Sequence, residues 1–154
     1  MSFDINTFRK DFPILDSRIK SCLSLDGWYT PIHPDIYNLG LSKPFLHLGQ
    51  TKWDEKINYE ILDNILSLED DIAYKLSLKG AGHLDFTDSP HISDLSSKFQ
   101  LSSDLKSDEI LDITNTTVLG FFDEHLKSKP SNWFDKMKKN KNIIIEMFNE
   151  NDEE

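Results

Sequence analysis

Asp71-Ile72-Ala73-Tyr74-Lys75-Leu76-Ser77-Leu78 runs directly into Lys79-Gly80-Ala81-Gly82-His83-Leu84-Asp85-Phe86-Thr87-Asp88. In the first eight residues Ile72, Tyr74, Leu76 and Leu78 alternate with smaller or polar side chains, the period of two that marks a strand. The glycine-rich stretch that follows ends the strand and leaves His83 on a loop at its C-terminal end. Open parallel sheets collect their reactive side chains at that edge, in the crevice outside the strand ends. His83 is therefore a candidate for chemistry, and the rest of the chain is searched for its partners.

Two earlier segments have the same character. Arg18 to Asp26 mixes alternation with a short apolar end, as a largely buried strand does, and Asp26-Gly27 marks its exit. Lys43 to Gly49 is a second buried strand, with Pro44 near its start, where a missing N–H is tolerated; His47 reads as a packed strand residue. The loop Gly27 to Pro34, with two prolines and three aromatic or imidazole rings, leads into a short helix over Pro34 to Leu39. Between the second and third strands, Trp53 to Leu68 places Ile57, Ile61, Leu62, Ile65 and Leu66 on one helical stripe. Strands alternating with a helical crossover imply parallel pairing, because parallel neighbours need such a connection.

The flanks are simpler. Thr7 to Phe12 reads as the last turns of a helix stopped by Pro13. Ser93 to Leu105 is serine-rich and weakly patterned. Ile110 to Leu126 puts Ile110, Ile113, Thr117, Phe121 and Phe122 near one face of a long helix, held by burial because Thr114-Asn115-Thr116-Thr117 has poor helix propensity. Trp133 to Met137 is a short helical turn, and Ile143-Ile144-Ile145 is a brief strand or a tail contact. The expected fold is a three-layer α/β arrangement, a short and mostly parallel sheet flanked by helices.

The chain has 154 residues, 38% hydrophobic and 11% aromatic, enough for one packed core. Its net charge of -10 argues against nucleic acid, which requires a basic face that displaces counterions. Glu146, Glu150, Asp152, Glu153 and Glu154 read as a solvated acidic tail. The single cysteine, Cys22, lies in an apolar run and reads as a small buried hydrophobe. Met1 to Asn6 lacks the basic and apolar regions of a signal peptide, and no stretch approaches the ~18 apolar residues of a membrane span. An intracellular, cytoplasmic and soluble chain is expected.

Asp26 and His83 thus stand at the ends of separate strands. A carboxylate accepting from one imidazole nitrogen fixes the tautomer and stabilises the imidazolium formed when the other nitrogen takes a nucleophile's proton. The segments Asp16 to Trp28, Lys43-Pro44-Phe45-Leu46, and Gly82-His83 followed by Phe86 and Asp88 resemble platelet-activating factor acetylhydrolases. Leu25-Asp26-Gly27-Trp28 is like that family's acid-bearing Leu-Asp-x-Trp. The resemblance implies the C-terminal half of an α/β-hydrolase fold, a partial domain over residues 1–140 with an acidic tail over 141–154. It implies a serine esterase for short or oxidised acyl esters of phospholipids or for small esters, with Asp26 as acid and His83 as base. No cofactor and no resident metal are expected.

The nucleophile is missing from this pattern. None of the six glycines takes part in a Gly-x-Ser-x-Gly elbow. Ser2-Phe3 lies about two dozen residues before Asp26, near where the family's nucleophile and oxyanion-hole residue would fall in the Ser, Asp, His order. Asp4-Ile5-Asn6 stands where small residues belong, so Ser2 is a vestigial candidate, and the chain is expected to be incomplete or inactive by itself. Two other readings stay open. His83, Asp85, Asp88 and His91 are metal-ligand types within nine residues, as a metal-dependent hydrolase requires. A non-catalytic pseudo-hydrolase or interaction fragment would self-associate through an exposed sheet edge. In blander terms, Asp26 shapes a turn, His83 is a surface-loop histidine, Trp28 packs beside the acid loop, and His33 and His125 are solvated.

Overall fold

A computed structural model describes residues 16–38, 40, 42–53, 56–68, 71–88 and 105–148. Ser2, the Thr7 to Phe12 segment, His91, nearly all of the serine-rich stretch and the last acidic residues lie outside the described residues. The elements in chain order are β1 (Cys22–Leu25), α1 (Pro34–Tyr37), β2 (Phe45–Gln50), α2 (Ile57–Ser67), β3 (Ala73–Leu78), a 3₁₀ turn (His83–Phe86), α3 (Ser107–Lys127), α4 (Trp133–Lys139) and β4 (Ile143–Phe148).

The four strands form one sheet in the order β1-β2-β3-β4. β1, β2 and β3 pair in parallel, with Ser24 opposite His47 and Phe45 opposite Ala73. β4 is antiparallel to β3, Leu78 facing Ile143 and Ala73 facing Phe148. Alternation along the strands divides the side chains between two helical layers. Leu46, Leu48, Tyr74, Leu76 and Leu78 face α3 and α4, where Ile110, Ile113, Phe121, Trp133 and Met137 complete an apolar core. Phe45 and Ala73 face α2, whose Ile61, Leu62, Ile65 and Leu66 cover them together with Tyr29. The expected three layers are present.

Several local expectations change. Ile57 is exposed on α2, and Asn58 takes the buried position beside it, because the first turn of this helix packs on a polar loop and not on the sheet. Residues 143–148, counted partly as tail, form a full strand. Ile145 and Met147 pack on the apolar core, while Phe148 reaches the opposite one. Glu146 belongs to a strand and not to a tail: exposed on β4, it lies opposite Lys75 across the β3–β4 ladder, and its carboxylate is 3.2 Å from the Lys75 ammonium. The Lys75 ammonium also pairs with Asp63 of α2 and lies over the Tyr59 ring. A buried ammonium requires such partners, since desolvation without them costs several kcal/mol.

His125 is half-buried against the Phe121 ring at 4.6 Å, and burial lowers its pKa; the long helix turns it inward one turn after Phe121. Cys22 is only partly buried, on the α2 side of β1. Gly120 shows how closely α3 and α4 approach: a Cβ there would lie 2.2 Å from the Trp133 Cβ. Replacing Gly by Ala in an exposed helix gains about 1 kcal/mol. Here the backbone-proximal clash wins, since overpacking a core costs about 1–3 kcal/mol. Gly120→Ala is expected to lower the urea midpoint of unfolding; a raised midpoint contradicts the packing.

Candidate active site

The parallel order puts the C-terminal ends of β1, β2 and β3 along one edge, and this places Asp26, Gln50 and the His83 turn side by side. Asp26 follows β1 with φ 45°, in the left-handed region that Asp tolerates better than bulkier residues. Its amide still donates to the Leu48 carbonyl at 2.7 Å, so the residue is anchored to β2 while its carboxylate is turned along the edge. That carboxylate is fully buried.

Four donors meet it. Oδ1 accepts from the Gln50 amide at 2.9 Å and from Trp53 Nε1 at 3.3 Å. Oδ2 accepts from Gln50 Nε2 at 3.0 Å and from His83 Nδ1 at 2.7 Å. An ionised carboxylate only accepts, so Nδ1 of His83 is the nitrogen that carries the proton in the neutral ring, leaving the Nε2 lone pair on the side away from Asp26. The His83 side chain is 55% exposed, against 0% for Asp26, so one nitrogen is held by the acid and the ring remains accessible. Trp53 packs edge-on against the ring at 5.4 Å.

The turn that presents His83 is built locally. Gly80 takes φ 77°, which reverses the chain after β3 without a Cβ penalty. Asp85 is buried and its Oδ2 accepts from the Gly82 amide at 2.8 Å, closing the 3₁₀ turn that begins at His83. This occupies one of the oxygens counted as metal ligands, and among the described residues no group of three or more His, Cys, Asp and Glu is arranged to hold a metal ion. His91 and Ser2 lie outside the described residues.

The loop after Asp26 is stapled to α2. Asn58 Oδ1 accepts from the amides of Tyr29 and Thr30, and its Nδ2 donates to the Gly27 carbonyl at 3.1 Å. Tyr29 Oη lies 2.9 Å from Nδ1 of His47. Trp28, expected to pack beside the acid loop, is 59% exposed; Tyr29 and Trp53 do that packing instead. His33 caps α1, accepting from the Asp35 amide through Nδ1 at 3.3 Å. Gln50, Trp53 and Asn58 are absent from the sequence-level site. Gln50 alone carried a signal, as a polar residue ending a buried strand beside the one that delivers Asp26.

This mixed sheet with a carboxylate and histidine converging at its edge has the architecture of an α/β-hydrolase. It aligns with a ferulic acid esterase from Streptomyces cinnamoneus at a TM-score of 0.67 and 22% identity, over 92% of this chain and 42% of that one. The model of the family "Platelet-activating factor acetylhydrolase, isoform II" matches residues 5–144, and the chain belongs to that family. A platelet-activating factor acetylhydrolase of Gallus gallus is 28% identical over 114 residues, which cover 73% of this chain and 27% of the relative. The chain thus corresponds to about a quarter of that relative's length. Among the described residues no helix is long and apolar enough to cross a membrane.

Beneath the acid, burial depresses the pKa of His47 from 6.5 to about 3, aided by the Lys75 charge. The unfolded chain therefore binds a proton that the folded chain refuses between these two values. Stability from this group is complete above pH 6.5 and is lost as the pH falls toward 3. The expected slope is up to about 1.4 kcal/mol per pH unit. Urea unfolding between pH 7 and pH 4 should show this slope in the wild type and a shallower one in His47→Gln; equal slopes contradict it.

Proposed function

We propose that this chain supplies the acid and base of a serine esterase acting on short or oxidised acyl esters of phospholipids, or on small esters. The observation that carries the reading is the 2.7 Å contact between Asp26 Oδ2 and His83 Nδ1, beside an exposed imidazole. Asp26 holds the proton on Nδ1, so Nε2 takes the proton of a serine hydroxyl as its oxygen attacks the ester carbonyl. The imidazolium, stabilised by Asp26, then protonates the departing alkoxide, and water resolves the acyl-serine by the same base.

The 154 residues contain no Gly-x-Ser-x-Gly elbow, so the reading includes inactivity of the chain alone, with Ser2 as a vestigial candidate only. Family membership and the names of its relatives support an acyl-ester substrate. The test is reconstitution. Joined to the part of the Gallus gallus relative that precedes the matched segment, as the source of the serine the reading requires, the chain is expected to hydrolyse a 2-acetyl phospholipid. Asp26→Asn and His83→Gln should each lower kcat by roughly 10³–10⁴-fold. Hydrolysis that survives His83→Gln refutes the assignment.

The non-catalytic reading rests on a different observation. β1 ends the described sheet, with Leu25 37% exposed on it, and a sheet edge templates pairing with another strand. Sedimentation of the chain alone should then show a mass that rises with concentration; a monomer at all concentrations argues against an interaction fragment.

A further inference from the structure

The polar face of β2 holds a histidine that the ester-hydrolysis chemistry does not use. His47 is fully buried, and its Nε2 has no hydrogen-bond partner among the described residues. Its position is informative. A Cβ built on Gly49 would lie 2.4 Å from His47 Nε2 and 2.6 Å from Asp26 Oδ1. The two atoms therefore rest over the same bare Cα and are at most about 5 Å apart. Gly49 is the residue that lets them approach, since any side chain there would occupy the space that they share.

The other ring nitrogen decides what Nε2 carries. The Tyr29 phenol lies 2.9 Å from His47 Nδ1. With Tyr29 donating to Nδ1, the proton of the neutral ring sits on Nε2. The opposite tautomer would leave an Nε2 lone pair near an anionic carboxylate oxygen in the buried interior, where repulsion is strong. The remaining groups around the ring are Tyr59, edge-on at 5.9 Å, and the Lys75 ammonium, whose charge opposes a second ring proton.

We infer that His47 is a positioning residue for Asp26: a neutral imidazole whose Nε2–H faces Oδ1 across Gly49, so that Tyr29 and His47 together hold the carboxylate that in turn orients His83. This rests on the reading of Asp26 as the acid of the site. Oδ1 then has three positive dipoles before it, from the Gln50 amide, Trp53 and His47, while Oδ2 serves Gln50 Nε2 and His83. Loss of the His47 dipole would shift carboxylate charge toward Oδ2 and strengthen the pull on the His83 proton.

The test is long-range ¹H–¹⁵N correlation of the histidine rings in the whole chain at pH 8, read through the ring carbon protons. His47 is expected to show a protonated Nε2 and an accepting Nδ1. A protonated Nδ1, or an imidazolium, overturns the inference, and this measurement stands even where a variant fails to fold. His47→Gln places an amide donor near the Nε2 position, whereas His47→Leu removes it. The ¹⁵N shift of His83 Nδ1 should move in His47→Leu and stay in place in His47→Gln; movement in both or in neither overturns the positioning role. No readout requires turnover, so failure here leaves the esterase reading standing, and failed reconstitution leaves the tautomer result untouched.

Discussion

A carboxylate buried without water must be given donors, because stripping a charge of solvent costs several kcal/mol that only close partners offset. Asp26 receives four, and the local architecture follows from delivering them. The Gln50 amide can reach Oδ1 only where β2 runs parallel to β1 and ends at the same edge. Trp53 arrives because the chain turns back over the acid before α2. His83 arrives because β3 is in register with β2 and Gly80 breaks it beyond Leu78. Moving any one of these strands by a residue would replace a donor with a side chain from the other face.

The two faces of the sheet have different physical characters. Toward α3 and α4 the strands present leucines, isoleucine and the Tyr74 ring, and the packing is tight enough that Gly120 lies against Trp133. Toward α2 they present His47, Lys75 and Ser77, all buried. Two of these polar groups are matched to a second element: Lys75 to Asp63 on α2 and Glu146 on β4, and His47 to Tyr29 of the loop after Asp26. These contacts specify register and orientation more than they add net stability, since a buried ion pair rarely exceeds a hydrophobic replacement. They also bind the acid loop, α2 and β4 into one unit beneath the site.

The match to the acetylhydrolase family spans residues 5–144, although the chain represents about a quarter of the length of its Gallus gallus relative. The structure accounts for why that part carries recognisable residues. Asp26 and His83 both follow strand ends on one sheet edge, and their geometry depends on neighbouring strands that lie within this chain. A serine elbow is a separate strand-turn-helix unit, and the acid-histidine pair forms without it.

Most of the fold was legible along the chain. Alternation marked β3 and part of β1, an apolar run marked β2, the helical stripe marked α2 and α3, and glycines marked the exits after Leu25 and Leu78, because strand and helix periods are local properties of side-chain direction. Asp26 and His83 were legible as strand-end residues. Asn58, Trp53 and Glu146 were not. The first is polar on an apolar stripe, the second reads as the start of a helix, and the third is hidden in an acidic run, and none has a local pattern that announces its role. Their parts are set by what lies opposite, which exists only once α2 crosses over the sheet and β4 returns beside β3. The sequence by itself determined which strands end in reactive groups. Only the tertiary structure decided that Gln50, Trp53 and His83 converge on the buried Asp26 carboxylate, because the burial that demands those donors is a property of the assembled sheet edge and of no single segment.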